Sequence, residues 1–335
     1  MRRLVAIACA VCLTLSAAAC NLFPLPPQGD QMPASTSPPS VPTQSPPVSP
    51  TTTVPPASEL VQYTLDLINR DRADHGLAPV TLGANTAAQL HAEDMLREYY
   101  LSHWDTDGMK PYMRYTLAGG TNDETENSAY SGWFDKSEDP SRYRPLDVKA
   151  ELATLEHQMV YDDDASNWGH RDNILNKWHR RVNLGIASDG HRLALVQQFE
   201  GDYLTFSQPP IFQDGALVVI GQSSLGMVDS VGVYYDPLPL PLTQAELQAK
   251  PHSYSLGTRV ATVVPPPPPG YQYTDLPPDA IQAQYWQSDP PGSFSLRAAF
   301  GPILDANGPG VYTVVIWTKT GGEYVALSDY SVFVR

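Results

Sequence analysis

The sequence predicts an α+β domain followed by an all-β domain of the immunoglobulin-like sandwich type. Three observations carry this prediction. Apolar residues recur at helical spacing up to residue 164, the spacing changes to strand-like alternation near residue 181, and short alternating runs separated by turn residues fill the last third of the chain. A chain of 335 residues is also longer than one hydrophobic core usually organises, so two domains are expected.

The first 20 residues have the pattern of an export signal. A basic pair, Arg2 and Arg3, precedes an apolar run from Leu4 to Leu15, which is shorter than the roughly 20 residues that span a membrane. Ala17 to Ala19 fit an ordinary signal-peptidase site, whereas Cys20 resembles the lipid-modified cysteine of bacterial lipoproteins. We expect an extracellular protein, anchored to the cell surface through a lipid on Cys20, or secreted if the first site is used.

Composition narrows the classes of function. The formal net charge is −15, with 36 acidic residues against 21 Lys and Arg, which argues against nucleic acid as a partner. All three cysteines, Cys9, Cys12 and Cys20, lie in the leader. The folded part therefore has neither disulfides nor thiolate chemistry.

The composition of residues 21–57 predicts a disordered linker between the leader and the first domain. Twelve prolines occur among Ser, Thr, Gln and Val, with almost no charged or aromatic residues, so the segment cannot bury a core. In polyproline geometry, at about 3.1 Å per residue, it would reach on the order of 100 Å. Such a tether suits a domain held away from a cell surface.

The α+β domain is predicted to span residues 58–206. Ser58 is a good N-cap for a helix that ends before Gly76, and a second helix opens at Asn85. The buried faces predicted for these two helices are Leu60, Thr64, Leu65 and Ile68, and then Ala88, Ala92, Met95 and Tyr99. Residues 149–164 read as a third helix and residues 170–178 as a short helical turn. An antiparallel hairpin follows, RVNLGIA and RLALVQQF around an Asp-Gly turn.

The β-sandwich is predicted to span residues 207–335. Five runs have strand character: GALVVIG, SVGVYYDP, TRVATVV, YTVVIWTK and EYVALSDYSVFVR. Proline runs and a Thr320-Gly321-Gly322 hairpin turn punctuate them. Nothing in this region suggests chemistry.

The residues that could carry chemistry are histidines and acids at the ends of predicted elements. These are His103, Glu126, the three acids Asp162 to Asp164, and His170. Three acids at the C-terminal end of a helix oppose the helix dipole, so a cation or neighbouring histidines should compensate them. The motifs of serine hydrolases, helical zinc peptidases and phosphate-binding loops do not occur.

The order SHW, TENSAY, VYDDD, GHRDNIL and VNLGIASDGHRLALVQQFEG resembles the CAP superfamily of cysteine-rich secretory, antigen 5 and pathogenesis-related proteins, also called the SCP domain. The likeness is to the bacterial branch and covers residues 58–206. It implies a three-layer α-β-α sandwich with a central cavity that holds two histidines and two acids. His103, Glu126 and His170 match three of these positions. Asp164 is the positional match for the fourth, and Glu156 is the second choice.

Two imidazoles and two carboxylates suit a divalent metal such as zinc, with His103, His170 and Glu126 as ligands, and they also suit acid/base work. We expect most strongly a non-catalytic module that binds a lipid or another component of the cell envelope. The alternatives are a metal-dependent hydrolase or protease, in which metal-activated water is the one available nucleophile, and a structural or adhesion protein of the envelope.

Overall fold

Residues 57–335 are the part of the chain that the computed structural model describes. The predicted signal peptide (1–20), its Cys20 and residues 21–56 of the predicted linker lie outside it. Residue 57 already opens the first helix. Within the described residues, no helix has both the length and the apolar character that crossing a membrane would require.

The α+β domain contains five helices and a four-stranded sheet. The helices are α1 (Ala57–Asp74), α2 (Ala87–Glu98), α3 (Pro111–Leu117), α4 (Val148–Tyr161) and α5 (Gly169–Ile174). The strands are β1 (Thr81–Leu82), β2 (Glu124–Ser131), β3 (Arg181–Ser188) and β4 (Leu193–Glu200), in the order β1-β3-β4-β2. The predicted hairpin is β3 and β4, and β2 forms an edge that pairs antiparallel with β4.

Three layers follow from the two faces of this sheet. Neighbouring residues of a strand point to opposite faces, so Leu195 packs among side chains of α1 and α4, whereas Ala194 and Val196 pack with α2. Both faces of β4 are therefore buried, and all eight of its residues are inaccessible. The arrangement of helix, sheet and helix agrees with the three-layer expectation.

The helical faces predicted from periodicity are confirmed, with one correction. The four predicted residues of α1 and the first three of α2 are buried. Tyr99 is not the end of the buried stripe, because its left-handed backbone (φ 60°) terminates α2. The chain turns there, and Tyr100 becomes fully buried in its place.

The second part of the chain is a β domain. Its strands are β5 (Leu204–Gln213), β6 (Ala216–Ser223), β7 (Val228–Asp236), β8 (Thr258–Val264), β9 (Ala280–Gln282), β10 (Tyr285–Asp289), β11 (Ser293–Ala299), β12 (Gly310–Thr320) and β13 (Glu323–Val334). Short helices α6 (Gln244–Gln248) and α7 (Gly301–Asn307) interrupt them. The five runs predicted as strands correspond to β6, β7, β8, β12 and β13.

Two sheets make up this domain, in the orders β10-β11-β6-β5 and β13-β12-β7-β8-β9. They share one core, since Val219 and Leu296 of the first sheet pack in the same cluster as Val233 and Val314 of the second. The predicted Gly-Gly turn joins β12 to β13, with φ of 58° and 87° at its two glycines. In chain order, the last strand of the α+β domain ends at Glu200 and β5 starts at Leu204, so the predicted boundary at residue 206 falls inside β5.

Residues 237–257, which connect β7 to β8, return to the α+β domain, and we call them the crossover segment. Its helix α6 buries Leu247 completely among residues of α2 and β4. Gln244 donates hydrogen bonds to the carbonyls of Tyr99 and Phe134, at 2.7 and 2.6 Å. The crossover segment thereby fastens the β domain to the first domain.

Direct contacts also join the two domains. The Asp236 carboxylate at the end of β7 accepts from Lys110 Nζ at 2.7 Å and from the Tyr112 hydroxyl at 2.6 Å. The Ser331 amide of β13 donates to Thr116 Oγ1 of α3 at 3.0 Å. These bonds fix α3 against β13, next to the predicted site.

Candidate functional site

His103 and Glu126 meet in a buried cluster between α2, α3 and β2. His103 Nδ1 lies 3.0 Å from Glu126 Oε1, and both side chains are fully inaccessible. Arg114 on α3 donates to the other carboxylate oxygen of Glu126 at 2.8 Å, and Ser128 donates to Oε1 at 3.1 Å. One carboxylate is thus held by an imidazole, a guanidinium and a hydroxyl.

Arg114 also positions the loop that carries His103. Its Nη1 donates to the carbonyls of His103 and Met109, at 2.9 and 2.7 Å. A guanidinium offers several donors in a fixed plane, so one side chain can bind the loop and the acid together. The His103–Glu126 geometry is therefore built on Arg114.

The charge of Glu126 follows from these partners. Burial alone favours the protonated acid, but Arg114, His91 and His103 outweigh it and lower the pKa of Glu126 to about 2. Glu126 in turn raises the pKa of Arg114 against the effect of burial. The pair is a buried ion pair at neutral pH.

His91 on α2 is a third histidine of the cluster. Its Nε2 donates to the Ser102 carbonyl at 2.9 Å and lies 3.9 Å from Glu126 Oε1. Burial, and then the charge of Arg114, lower its pKa to about 3. His91 is therefore neutral and contributes a dipole rather than a charge.

Tyr254 of the crossover segment covers the cluster. Its ring lies 4.8 Å from the His103 ring, and its hydroxyl accepts from the Glu126 amide at 2.9 Å. That amide lies on the outer side of the edge strand β2, where no neighbouring strand can pair with it. A residue of the second domain thus completes the hydrogen bonding of the first.

His170 forms a second pair, with Asp163. Its Nδ1 lies 2.6 Å from Asp163 Oδ1, and the other oxygen accepts from the His170 and Arg171 amides at 2.9 and 3.1 Å. Asp163 therefore serves the N-terminal end of α5, where a carboxylate is favourable. The pair places a histidine beside one of the three acids that follow α4.

Asp163, not the predicted Asp164, is the acid beside His170. Asp164 is exposed and begins a single 3-10 turn, Asp164–Ser166. The helix α4 ends at Tyr161, and the irregular backbone after it turns the middle acid of the three inward. Matching the family motif by position therefore selects Asp164, one residue after the acid that contacts His170.

Glu156, the second choice, is buried elsewhere. It lies on α4, and its Oε2 accepts from Gln197 Nε2 at 2.5 Å. Burial raises its pKa to about 8, and the bond from Gln197 opposes this rise only in part. Gln197 also accepts from Asn127, whose amide binds the His170 carbonyl. Glu156 reaches the histidine through two intervening amides rather than by contact.

The predicted metal set does not converge. Among residues 57–335, no group of three or more His, Cys, Asp and Glu side chains is arranged to hold a metal ion. Arg114 binds the Glu126 carboxylate that a cation would need, and His170 is paired with Asp163. His103, Glu126 and His170 therefore do not fit zinc in this arrangement.

Sequence reasoning missed Arg114, His91 and Tyr254, and among the three acids that follow α4 it chose Asp164 rather than Asp163. His91 had a usable signal, because it lies on the same face of α2 as Ala88, Ala92 and Met95. Arg114 belongs to a short helix with no clear apolar period. Tyr254 comes from a connection between strands, where no pattern marks a contact.

Comparison with known proteins agrees with this architecture. Residues 65–199 match the family model described as CAP, cysteine-rich secretory protein family. The chain is similar to the CAP domain of enterococcal PrgA, at 15% identity and a TM-score of 0.29, over 43% of this chain and 61% of that one. It is similar to a cysteine-rich secretory protein (SAV1118) from Staphylococcus aureus at 15% identity and a TM-score of 0.26, over 43% and 38%.

The chain thus spans less than two thirds of the length of either solved structure. The search of curated proteins gave no match. The family match runs from α1 to β4, which are the elements that build the three layers. The resemblance predicted from the sequence is confirmed over this segment by the family match.

Proposed function

We propose that this protein is an exported, surface-tethered and non-catalytic ligand-binding protein, in which the CAP domain and an immunoglobulin-like β domain present a ligand site together. One observation carries the proposal. Glu126, the acid that a hydrolase of this design would use as its base, is already bound by His103, Arg114 and Ser128. With a pKa of about 2 it is a poor proton acceptor at neutral pH.

The other requirements of hydrolysis also argue for binding. No cysteine occurs after residue 20, and the predicted metal ligands do not converge within the described residues. Tyr254 packs against His103, with 4.8 Å between the ring centres. The cluster therefore favours a role in holding the domains together.

A place for a ligand exists where the two domains meet. A cavity of about 250 Å³ is lined there by residues of β2, α5, β12 and β13. Concave sites with a few convergent polar groups are the usual form of small-molecule sites, and they occur often between domains. The carboxylates and aromatic rings in its wall favour a polar headgroup over a lipid acyl chain.

A hydrolysis assay tests the non-catalytic part of the proposal. Purified protein is incubated with pools of peptides, esters and glycosides, beside His103→Ala and His170→Ala. We expect no turnover that depends on either histidine. Turnover that disappears in both variants and in chelator would establish the hydrolase instead.

The tether has its own test. Export and lipidation are proposed from the leader, Cys20 and the proline-rich residues 21–57. In a bacterial host with lipoprotein processing, Cys20→Ser should move the protein from the membrane fraction to the medium. Retention in the membrane at the level of the unchanged protein would overturn the lipid anchor.

A further inference from the structure

The cavity between the domains is distinct from the histidine cluster. Glu124 of β2 and His179 line it on the CAP side, and Asp329 and Trp317 line it on the β-domain side. Neither His103 nor Glu126 reaches it. Tyr254 stands between the two sites, because its ring contacts His103 and also lines the cavity.

Two buried carboxylates in the cavity wall have oxygens without a hydrogen-bond partner among residues 57–335. Glu124 is 2% exposed, and neither of its oxygens has a hydrogen-bond partner among residues 57–335. Asp329 is 4% exposed, and its Oδ1 also has none there. Buried charges in proteins are normally paired or bound to an ion, because an unpaired one costs several kcal/mol. A positive charge placed between Glu124 and Asp329 would therefore be stabilised by both carboxylates.

The protein itself does not supply that charge. Within the described part of the chain, no Lys or Arg side chain lines the cavity. His179 donates from Nδ1 to the Asn173 carbonyl at 2.8 Å, and burial lowers its pKa to about 4, so it is neutral. Asp123 and Asp172 are further acids of the wall.

Aromatic side chains make up much of the remaining wall. Trp178, Tyr203, Trp317 and Tyr324 contribute rings to it, and Trp178 meets Tyr203 edge-on at 6.5 Å between ring centres. Ring faces attract cations, most strongly those with large and weakly hydrated ammonium groups. A bare metal ion fits less well, since the acids here are not placed as a metal site.

We propose that this cavity binds a small organic ammonium ion, with Glu124 and Asp329 as its counter-ions and the rings of Trp178 and Trp317 against its alkyl groups. This inference rests on the proposed ligand-binding function and names the class of ligand. It explains why one cavity contains buried carboxylates while no Lys or Arg among the described residues lines it.

Titration with matched probes tests the proposal. Choline and 1,5-diaminopentane supply quaternary and primary ammonium groups, 3,3-dimethyl-1-butanol is the uncharged isostere of choline, and CaCl₂ tests a bare cation. Calorimetry and the fluorescence of the protein's tryptophans report binding to the purified protein. We expect saturable binding of at least one ammonium probe, and affinity lower by about tenfold or more for the neutral alcohol.

Charge-neutral variants locate the binding. Glu124→Gln and Asp329→Asn keep the shapes of the side chains, and each should weaken ammonium binding by about tenfold. Asp214→Asn removes the same charge from an exposed turn at φ 51°, which Asn tolerates, and should leave the affinity unchanged. Thermal melts confirm that each variant is folded.

Several results would overturn the inference. They are binding of neither ammonium probe at millimolar concentration, equal binding of choline and the neutral alcohol, unchanged affinity in both variants, or Ca²⁺ binding that replaces ammonium binding. Binding of the neutral alcohol alone would leave the ligand-binding function standing. Histidine-dependent hydrolysis would instead overturn that function while ammonium binding persisted.

Discussion

Glu124 and Glu126 lie two positions apart on β2, so they project from the same face of one strand, and both are buried. Glu126 has three polar partners, and they hold its pKa near 2. Glu124 has none among the described residues. Burial and the neighbouring Asp329 raise its pKa well above the usual value. The same side chain in nearly the same place therefore has two opposite charge preferences.

The two glutamates differ in pKa because their neighbours come from different domains. Glu126 faces Arg114, which belongs to the α+β domain and completes an ion pair there. Glu124 faces the β domain, which brings Asp329 instead of a base. Docking of the second domain therefore covers one acidic site through Tyr254 and creates another whose wall contains acids but no Lys or Arg among the described residues.

Removing the guanidinium beside Glu126 is the most severe way to break this contrast. Arg114→Leu would leave the Glu126 carboxylate buried with its main cation gone and would release the His103 loop. Loss of one partner of a buried pair costs about 3–5 kcal/mol, and we expect that loss in the free energy of unfolding measured with urea.

Arg144→Leu is the matched control, because Arg144 is exposed and should change stability by less than about 0.5 kcal/mol. A loss below about 1 kcal/mol in Arg114→Leu would mean that Glu126 finds another partner or becomes protonated. The two glutamates would then differ much less than their surroundings indicate.

Neutralising each glutamate in turn sharpens the comparison. Glu126→Gln weakens a charge-assisted bond and leaves Arg114 without its counter-ion, so we expect a loss of about 2–3 kcal/mol. Glu124→Gln removes an unpartnered carboxylate, so stability should stay the same or rise by up to about 1 kcal/mol. Urea unfolding of both variants at pH 7 gives the two signs directly, and equal losses would show that Glu124 is paired in solution.

The periodic parts of this fold could be predicted from the sequence. Spacing of apolar residues located α1, α2 and α4, the β3–β4 hairpin and five strands of the β domain. It did not reveal β2, because Glu126, Asn127 and Ser128 in that strand are polar and nevertheless buried. Their burial depends on hydrogen-bond partners that are distant in sequence: Arg114 binds Glu126, and Gln197 binds Asn127. No local sequence pattern indicates these contacts.

Of the site, only His103, His170 and Glu126 could be predicted from the sequence. The order of motifs identified His103, Glu126 and His170, since each lies at the end of a recognisable segment or within a quoted motif. Asp163 and Asp164 could not be told apart, because a turn without regular period decides which of three adjacent acids points inward. The unpaired state of Glu124 depends on Asp329, some 200 residues later in the chain, and on the docking of two domains.

Glu156 has one hydrogen-bond partner, which places it between Glu124 with none among the described residues and Glu126 with three. The pH dependence of stability tests this comparison. The partner of Glu156 is Gln197, and the pKa of Glu156 is about 8 in the fold, whereas 4.5 is usual for glutamate. The folded protein therefore keeps a proton that the unfolded chain releases above pH 4.5. Stability from this group is complete below pH 4.5 and is lost as pH rises toward 8, at up to about 1.4 kcal/mol per pH unit.

Glu156→Gln should remove that slope, so the difference in unfolding free energy between variant and unchanged protein should grow from pH 5 to pH 8. Glu126 has the opposite dependence, because its lowered pKa gives stability that is present above pH 4.5 and lost as pH falls toward 2. Glu151→Gln, at a partly exposed position of the same helix, controls for the loss of one charge. Parallel pH profiles for Glu156→Gln and the unchanged protein would mean that Glu156 is ionised in the fold. A carboxylate with one amide partner would then behave like the fully paired Glu126, and the number of partners would not be what separates the buried acids of this protein.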